Sequence, residues 1–209
     1  MLFYDCSTAP SPRRARMFIA EKGLEIETRD ISIAKGEQFS DAFRAVNPGA
    51  TIPVLVTDEG TTLTENLGIA AYLEARFPEP ALMGQTPDEK GEILMWNAIA
   101  EQQCGAPIAE TLRNTHPSFR DRAITGPANH AQIPELAQRG AERVRAFFDL
   151  LEARLQVSGF VAGDMFSLAD ITTFVFVDFA RVIKMRIPEK NTATRAWFDA
   201  VQTRPSARL

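Results

Sequence analysis

Two short stretches near the N-terminus have residue types and a spacing suited to holding a small peptide by its backbone. The first is Ile52-Pro53, before an apolar run at 54–56, and the second is Thr64-Glu65-Asn66, which opens an amphipathic segment. A cis X-Pro bond turns the N–H and C=O of the preceding residue outward, where they can pair with an extended ligand. An acid and an amide at a helix start suit an ammonium and a carboxylate.

The elements that position these stretches follow the order β-α-β-α-β-β-α. Alternation and turn residues predict the strands, and apolar spacing with capping residues predicts the helices. Ser11 followed by Pro12 is typical of an N-cap and a first helical residue. We expect strands at 2–6, 25–33, 54–57 and 62–64, and helices from Ser11-Pro12 to Gly23, over 38–46, and from Glu65 to about residue 77.

The rest of the chain has helical spacing. Thr86 and Glu89 form a capping box that opens a helix expected to run to about Asn114, and another helix is predicted over 135–155. Ser167 and Asp170 form a second capping box before a helix that is apolar on every face, so Asp170 is expected to be structural. The polar segment 117–134 is expected to be a loop over one side of the helical domain.

Composition restricts the possible functions. The chain has 23 basic and 27 acidic residues and a net charge of −4, so nothing electrostatic indicates nucleic acid. It has no apolar run of about 20 residues and no signal-peptide pattern, which predicts a cytoplasmic protein without a membrane span. Cys6 and Cys104 are too few for a disulfide framework or a metal site, and we expect ordinary thiols and no metal.

These motifs together resemble the cytosolic glutathione S-transferase family. Ile52-Pro53 is similar to its cis-proline position, Glu65-Asn66 to its γ-glutamyl-binding pair, and Gly163-Asp164 with Ser167–Asp170 to its buried capping box. The resemblance implies an α/β thioredoxin-like domain at 1–80, a linker at 81–88 and an all-α bundle at 89–209. Ala9 to Arg14, Glu21 to Gly23 and Arg113 to Pro117 resemble a fungal and bacterial branch that carries Ala or Gly at the catalytic position.

The resemblance assigns most of the glutathione contacts. It implies that the Ile52 backbone pairs with the cysteinyl part and that Glu65 and Asn66 bind the γ-glutamyl end. The basic and amide donors before the second helix suit the glycyl carboxylate. The implied glutathione-binding residues are Lys35, Gln38, Thr51, Ile52, Pro53, Glu65 and Asn66, with glutathione as co-substrate.

The chain departs from the family at the group that activates the thiol. Ala9 stands where several classes carry a catalytic Ser or Cys, so Ser11 is the nearest substitute and Thr8 a weaker one. The N–H groups and the partial charge of the helix start can stabilise a thiolate. Arg14 and Arg16 lie further along that helix, where a basic solvent-facing surface is expected.

The second substrate is expected between the domains, against the first helix of the bundle. Candidate residues for this electrophile site are Pro10, Gln103, Thr111, Arg113 and Asn114. His116 is a possible base, although a histidine at a helix end usually caps it. The family attacks aryl halides, epoxides, unsaturated carbonyls and peroxides, and the sequence does not choose among them.

Three functional hypotheses remain. The first is a detoxifying glutathione transferase that conjugates glutathione to a hydrophobic electrophile or reduces a peroxide with it, as a homodimer. The alternative is a non-catalytic binding protein that keeps the fold; Ala9 favours it, and the complete peptide-binding motifs oppose it. A thiol-disulfide reductase is disfavoured because neither cysteine lies at the start of the first helix.

Overall fold

Four short strands form one mixed sheet in the N-terminal part of the chain. The computed structural model describes all 209 residues. The strand order is β2-β1-β3-β4, with β1 parallel to β2 and antiparallel to β3, and β3 antiparallel to β4. The strands are β1 (Leu2–Asp5), β2 (Glu27–Asp30), β3 (Val54–Val56) and β4 (Thr62–Leu63), and the helices among them are α1 (Pro10–Glu21), α2 (Asp41–Val46) and α3 (Asn66–Arg76).

The helical part of the chain begins after Pro80. Its helices are α4 (Pro87–Ala100), α5 (Ala106–Arg113), α6 (Pro134–Leu155), α7 (Leu168–Phe179) and α8 (Thr192–Gln202). Short 3-10 turns occur at Ile33–Lys35, Glu37–Phe39, Pro117–Phe119, Ala180–Ile183 and Pro205–Arg208. None of the helices is both long enough and apolar enough to cross a membrane.

The chain divides into two compact units. The N-terminal unit contains residues 1–80, 125–128 and 209, and the helical unit contains 81–124 and 129–208. The loop at 117–134 was predicted to lie over one side of the helical domain. That prediction was wrong for 125–128, because their contacts group them with the N-terminal unit.

Both faces of the sheet are covered within the N-terminal unit. Tyr4 and Val54 are opposite each other in the strand register and pack with Phe43 of α2. The neighbouring strand positions, Phe3 and Leu55, point to the other face and are also buried. Helix α1 packs against β1 and α3. This arrangement holds the starts of α1, α3 and β3 in one compact unit.

Helix α7 is the centre of the helical unit, since residues 168–177 are all buried. It packs against α4, while α6 packs against α5 and α8. Asp170 accepts four hydrogen bonds, from Val161 N (2.9 Å), Trp197 Nε1 (2.9 Å), Ser167 N (3.0 Å) and Ser167 Oγ (3.1 Å). The structural role predicted for Asp170 is thus supported, and Trp197 is a further partner. The Thr86–Glu89 capping box is also present.

The predicted helix from Glu89 to Asn114 is interrupted. Residues 101–105 form a π-helical turn between α4 and α5. Pro107 follows two residues after this turn and has no N–H to donate to it, so the regular ladder cannot continue there. A Cβ on Gly105 would lie 2.5 Å from ring atoms of Phe176, and only glycine allows this close packing.

Three boundaries in the N-terminal unit also differ from the prediction. Helix α1 begins at Pro10 with Ala9 as its N-cap, so Ser11 is its second residue rather than its cap. The segment predicted as a helix over 38–46 is a 3-10 turn at Glu37–Phe39 followed by α2, because Ser40 is extended and caps α2 through its hydroxyl. The second strand is shorter than 25–33.

Candidate functional site

The turn before β3 is built around the side chain of Asn47. Its Nδ2 atom donates to the Thr51 carbonyl oxygen at 2.8 Å and to Thr51 Oγ1 at 3.0 Å, and its Oδ1 atom accepts from the Gly49 N–H at 3.0 Å. Ala50 has a φ of 51° within this turn. The buried amide of Asn47 therefore fixes the backbone that leads into Ile52.

The Ile52-Pro53 peptide bond is cis, in agreement with the sequence prediction. The Ile52 side chain packs against the cluster of Tyr4, Phe43 and Val54, which anchors its backbone at the end of the Asn47 turn. Sequence analysis did not single out Asn47. An Asn directly before Pro-Gly was the available signal, because Asn side chains often bond to the backbone two residues on.

Glu65 and Asn66 form the start of α3. Glu65 is the N-cap in an extended conformation, and its side chain makes no capping hydrogen bond. Its carboxylate is exposed, whereas Asn66 at the first helical position is buried. The first N–H groups of any helix have no partner within the helix. This end of α3 thus offers a free carboxylate and unpaired donors close together.

Lys35 and Gln38 lie in the two 3-10 turns between β2 and α2. The Lys35 side chain is exposed, and its N–H is capped by Ser32 Oγ at 3.4 Å. Glu37 accepts from Ser32 N at 2.8 Å, which ties the two turns together. Gln38 is buried within this segment.

Two buried amide oxygens in the N-terminal unit have no hydrogen-bond partner within the protein. They are Gln38 Oε1 and Asn66 Oδ1, and both belong to residues that the sequence had singled out for ligand binding. An unpaired buried polar atom costs about 1–3 kcal/mol. A side-chain amide can turn by 180° and present either a donor or an acceptor, so each group can meet a ligand atom of either type.

The start of α1 has fewer free donors than a typical helix. Pro10 and Pro12 occupy its first and third positions and have no N–H, and the Ala9 N–H donates to Cys6 O at 3.1 Å. Ser11 is half-buried and contributes both a backbone N–H and a hydroxyl at the second position. Because of the two prolines, the donors at this helix end are concentrated on Ser11.

The arginines of α1 do not form the solvent-facing basic surface that the sequence predicted. Arg14 is buried, and Arg16 pairs with Asp5 through N–O distances of 2.6 and 2.7 Å. Asp5 also accepts from Cys6 N at 2.7 Å. The pair fixes the backbone that leaves β1 toward α1. Tyr4 remains inside β1 in edge-to-face contact with Phe43.

Thr111 and Asn114 have structural contacts within the helical unit. The Thr111 hydroxyl lies 3.0 Å from Pro107 O and 3.1 Å from Ala137 O, both of them acceptors. The Asn114 amide donates to Glu110 O at 2.8 Å and accepts from Ile133 N at 2.9 Å, which joins the end of α5 to the start of α6. The structure does not support their predicted contact with an electrophile, because these polar atoms already have partners.

The other predicted electrophile contacts divide into two groups. Arg113 is engaged with backbone carbonyls of the following loop, which disagrees with a side chain directed at a substrate. Gln103 is exposed on the π-helical turn, and Pro10 is half-buried at the start of α1, so their roles stay predictions.

His116 caps a 3-10 turn by accepting from Ser118 N at 3.3 Å. Cys104, which follows Gln103, is buried, and this burial raises the pKa of its thiol.

Comparison with known proteins decides the family. Residues 8–76 match the glutathione S-transferase N-terminal domain, and residues 134–200 match the glutathione S-transferase C-terminal domain. Glutathione S-transferase 2 of Saccharomyces cerevisiae is 34% identical over 211 residues, covering 100% of this chain and 88% of that protein. The chain belongs to the glutathione S-transferase family. The family's members are enzymes with glutathione as co-substrate, so the predicted enzyme class is confirmed at this level.

Solved glutathione S-transferase structures confirm the fold. Gtt2 from Saccharomyces cerevisiae has a TM-score of 0.90 at 33% identity, covering 100% of this chain and 99% of that chain. A glutathione S-transferase domain-containing protein from Marinobacter aquaeolei VT8 has a TM-score of 0.87 at 32% identity, covering 99% of both chains. The predicted α/β thioredoxin-like domain followed by an all-α domain is therefore correct for this transferase.

Proposed function

We propose that this chain transfers the thiolate of glutathione to an electrophilic small molecule, or reduces a peroxide with it, as a cytoplasmic detoxification enzyme. In a conjugation, the sulfur forms a bond to an electrophilic carbon. The electron pair of the broken bond leaves with a halide, or remains on an opened epoxide oxygen that then takes up a proton. Within the family, the proposal places the chain in the fungal and bacterial branch that has Ala or Gly at the catalytic position.

The observation that carries this proposal is the pair of unpaired buried amide oxygens, Gln38 Oε1 and Asn66 Oδ1. Buried polar groups of a stable fold are normally paired. Glutathione has an ammonium, two amide N–H groups and two carboxylates, and it can therefore supply partners to both amides. No other buried side-chain atom of the N-terminal unit lacks a partner in this way.

The remaining glutathione contacts are assigned by chemistry. The Ile52 backbone pairs with the cysteinyl part of glutathione. Its orientation is fixed by the cis Pro53 bond and by the Asn47 side chain, which bonds to the Thr51 carbonyl. The exposed Glu65 carboxylate receives the γ-glutamyl ammonium. The N–H groups of the α3 terminus donate to the γ-glutamyl carboxylate, as does the Asn66 amide once it is turned so that Nδ2 takes the place of the unpaired Oδ1. Lys35 donates to the glycyl carboxylate, together with the Gln38 amide turned in the same way.

Ser11 is proposed as the group that stabilises the thiolate. A free thiol has a pKa of about 8.5, so half-ionisation at pH 7 requires about 2 kcal/mol. One hydrogen bond to a charged group contributes about 1.5–3 kcal/mol, and a helix terminus contributes up to about 2 kcal/mol. The N–H and hydroxyl of Ser11 supply this stabilisation where Ala9 has no side-chain donor.

The electrophile contacts that we still propose are Pro10 and Gln103. Gln103 is exposed on the π-helical turn between α4 and α5, and such turns often occur at functional sites. Pro10 begins the helix whose second residue is Ser11. Neither contact identifies the leaving group, so the electrophile has to be found by assay.

A homodimer is proposed as the active assembly. Leu94 and Met95 on α4 are 39% and 50% exposed, which is high for adjacent large apolar side chains. We expect light scattering to give twice the monomer mass at micromolar concentration, and Met95→Glu to give the monomer mass. A wild-type chain that scatters as a monomer would contradict the dimer.

The function is tested by calorimetric titration with glutathione beside an assay panel. The panel contains an aryl halide, an epoxide, an unsaturated carbonyl and a hydroperoxide. We expect saturable binding and turnover of at least one of them. Binding without any turnover would favour the non-catalytic alternative, and the absence of binding would refute the proposal.

A further inference from the structure

Arg113, at the end of α5, holds the first half of the loop that follows it. Its Nε atom donates to Ala123 O at 3.1 Å, and one terminal nitrogen donates to Arg122 O at 2.6 Å and Ile124 O at 3.1 Å. The guanidinium also lies over the Phe119 ring, 4.5 Å from its centroid. A planar guanidinium bonds these carbonyls through a rigid fork, whereas a lysine ammonium is a point charge on a flexible stem. The contact therefore fixes the backbone path up to Ile124.

The second half of the loop is tied back to the same place. Gln132 Nε2 donates to Arg113 O at 2.8 Å and to His116 O at 2.9 Å. Between the two halves, His130 N donates to Asp121 O at 2.9 Å and Ala123 N to His130 O at 3.0 Å. The tip, residues 125–128, lies beyond this network.

The tip rests on the Asn47 turn. Residues 125–128 belong to the N-terminal unit, and Gly126 is buried there with a φ of 120°. A Cβ on Gly126 would lie 3.8 Å from the Gly49 carbonyl oxygen. Gly49 is part of the turn that Asn47 fixes, three residues before Ile52. The segment that Arg113 holds is thus followed directly along the chain by the tip that packs beside the Asn47 turn.

We propose that Arg113 is a positioning residue for glutathione binding. It fixes residues 122–124, so that the tip at 125–128 stays packed on the Asn47 turn and keeps the Ile52 backbone in its ligand-binding orientation. This inference rests on the proposed function, because the Ile52 backbone is the proposed contact for the cysteinyl part of glutathione. It replaces the earlier expectation that Arg113 contacts the electrophile.

The test compares three variants by hydrogen exchange and by glutathione affinity. Arg113→Lys keeps the charge and loses the planar fork that bonds the carbonyls of 122–124. Gly126→Ala disturbs the tip directly, because its φ disfavours a side chain, and leaves Arg113 intact. Arg139→Lys is the control, since Arg139 is an exposed arginine of the same unit that pairs with Glu110.

We expect Arg113→Lys and Gly126→Ala each to accelerate amide exchange at Gly49 and Ala50 and to weaken glutathione binding about tenfold. The KM for glutathione should rise in proportion, with kcat changed by less than about twofold. The double variant should bind no more weakly than the weaker single variant, because both changes act through the same loop. Arg139→Lys should behave as wild type.

A purely structural role for Arg113 predicts a different pattern. In that case exchange accelerates only within residues 117–124, while exchange at Gly49 and Ala50 and the affinity for glutathione stay at wild-type values. This result would overturn the proposal. If wild-type protein binds no glutathione, the proposed function fails, and exchange at Gly49 and Ala50 in the two variants still decides whether Arg113 positions this turn.

Discussion

The starts of α7 in the helical unit and of α3 in the N-terminal unit contain similar polar residues. They differ in how many of these side-chain atoms are hydrogen-bonded within the protein. At the start of α7, Asp170 is buried and accepts four hydrogen bonds. At the start of α3, the Glu65 carboxylate makes no capping bond, and the buried Asn66 Oδ1 has no partner. Paired groups of this kind stabilise a fold, whereas unpaired ones destabilise it until a ligand binds.

Helix α8 gives a second example of complete pairing. The buried Glu152 of α6 accepts from Ala193 N at 3.1 Å and from Thr194 N and Oγ1 at 2.9 and 2.8 Å. A carboxylate is favourable at a helix N-terminus, so Glu152 acts as a cap supplied by a distant part of the chain. The acids at the starts of α7 and α8 are thus hydrogen-bonded, whereas the acid and the amide at the start of α3 are not.

The largest expected effect is on stability, for Asp170→Ala. The change leaves the N–H donors of Val161, Ser167 and Trp197 buried and unpaired, which should lower the free energy of unfolding by about 3 kcal/mol or more. Denaturant titration measures it, with Asp164→Ala as an exposed acid control expected to stay within about 0.5 kcal/mol. Wild-type stability in the Asp170 variant would show that the paired cap is unimportant.

In contrast to Asp170→Ala, Glu65→Ala should weaken glutathione binding and leave the stability of the free protein close to wild type. It removes the proposed partner of the γ-glutamyl ammonium, so glutathione affinity should fall by about 2–4 kcal/mol, at least about thirtyfold. Glu65→Gln should recover part of that loss by keeping an acceptor. The melting temperature of the free protein should stay close to wild type, as thermal denaturation can check. A large loss of stability with unchanged affinity would make Glu65 a structural residue.

Glu152→Gln is expected to change how stability depends on pH. Burial raises the pKa of Glu152, but hydrogen bonds from Thr194, Ala193 and Gln156 outweigh it, so the folded pKa is lowered. Its stabilising contribution is present above the unfolded pKa of about 4.3 and is lost as pH falls through the folded value. At pH 7 the variant should be less stable by about 1 kcal/mol. Denaturation series at several pH values should show that the difference in the free energy of unfolding between the wild type and the variant decreases in acid. A difference that does not change with pH would contradict the account.

Ser11→Ala should have the smallest effect. The substitution removes one hydroxyl but keeps the Ser11 N–H, so turnover should fall about tenfold or less. Steady-state assays at saturating glutathione measure this. A loss of about a thousandfold would mean that the hydroxyl is the dedicated activator of the thiol.

The fold, the two capping boxes and the cis Pro53 bond were predictable because their signals are local. Thr86–Glu89, Ser167–Asp170 and Ile52-Pro53 each combine a few neighbouring residues whose geometry follows from their types. The start of α1 was misplaced because Ser11-Pro12 and Ala9-Pro10 are competing signals, and Pro10 fits the first helical position equally well. The break at residues 101–105 was missed because Gly105 is required by Phe176, a residue far along the chain.

Long-range pairing explains the remaining errors. Arg16 reaches Asp5, Arg113 reaches carbonyls of 122–124, and Asn114 reaches Ile133, and none of these contacts has a sequence pattern. Each of these side chains was interpreted as available to solvent or substrate when it is bonded within the protein. Conversely, sequence could not show that Gln38 and Asn66 have unpaired atoms, because that depends on everything packed around them.

The central claim is that unpaired buried groups of the N-terminal unit exist for the ligand, and Asn66→Leu tests it most directly. Asn97→Leu is the matched control, because the buried Asn97 Oδ1 accepts from Thr172 Oγ1 at 2.6 Å in the helical unit. The two measured quantities are the free energy of unfolding and the calorimetric affinity for glutathione.

Replacing the unpaired Asn66 with an apolar residue of similar size should leave the free energy of unfolding unchanged or higher, and should weaken glutathione binding at least about tenfold. Asn97→Leu should lower the free energy of unfolding by about 1–3 kcal/mol and leave glutathione affinity at the wild-type value. If Asn66→Leu instead destabilises the protein as Asn97→Leu does and binds glutathione like wild type, the account is contradicted.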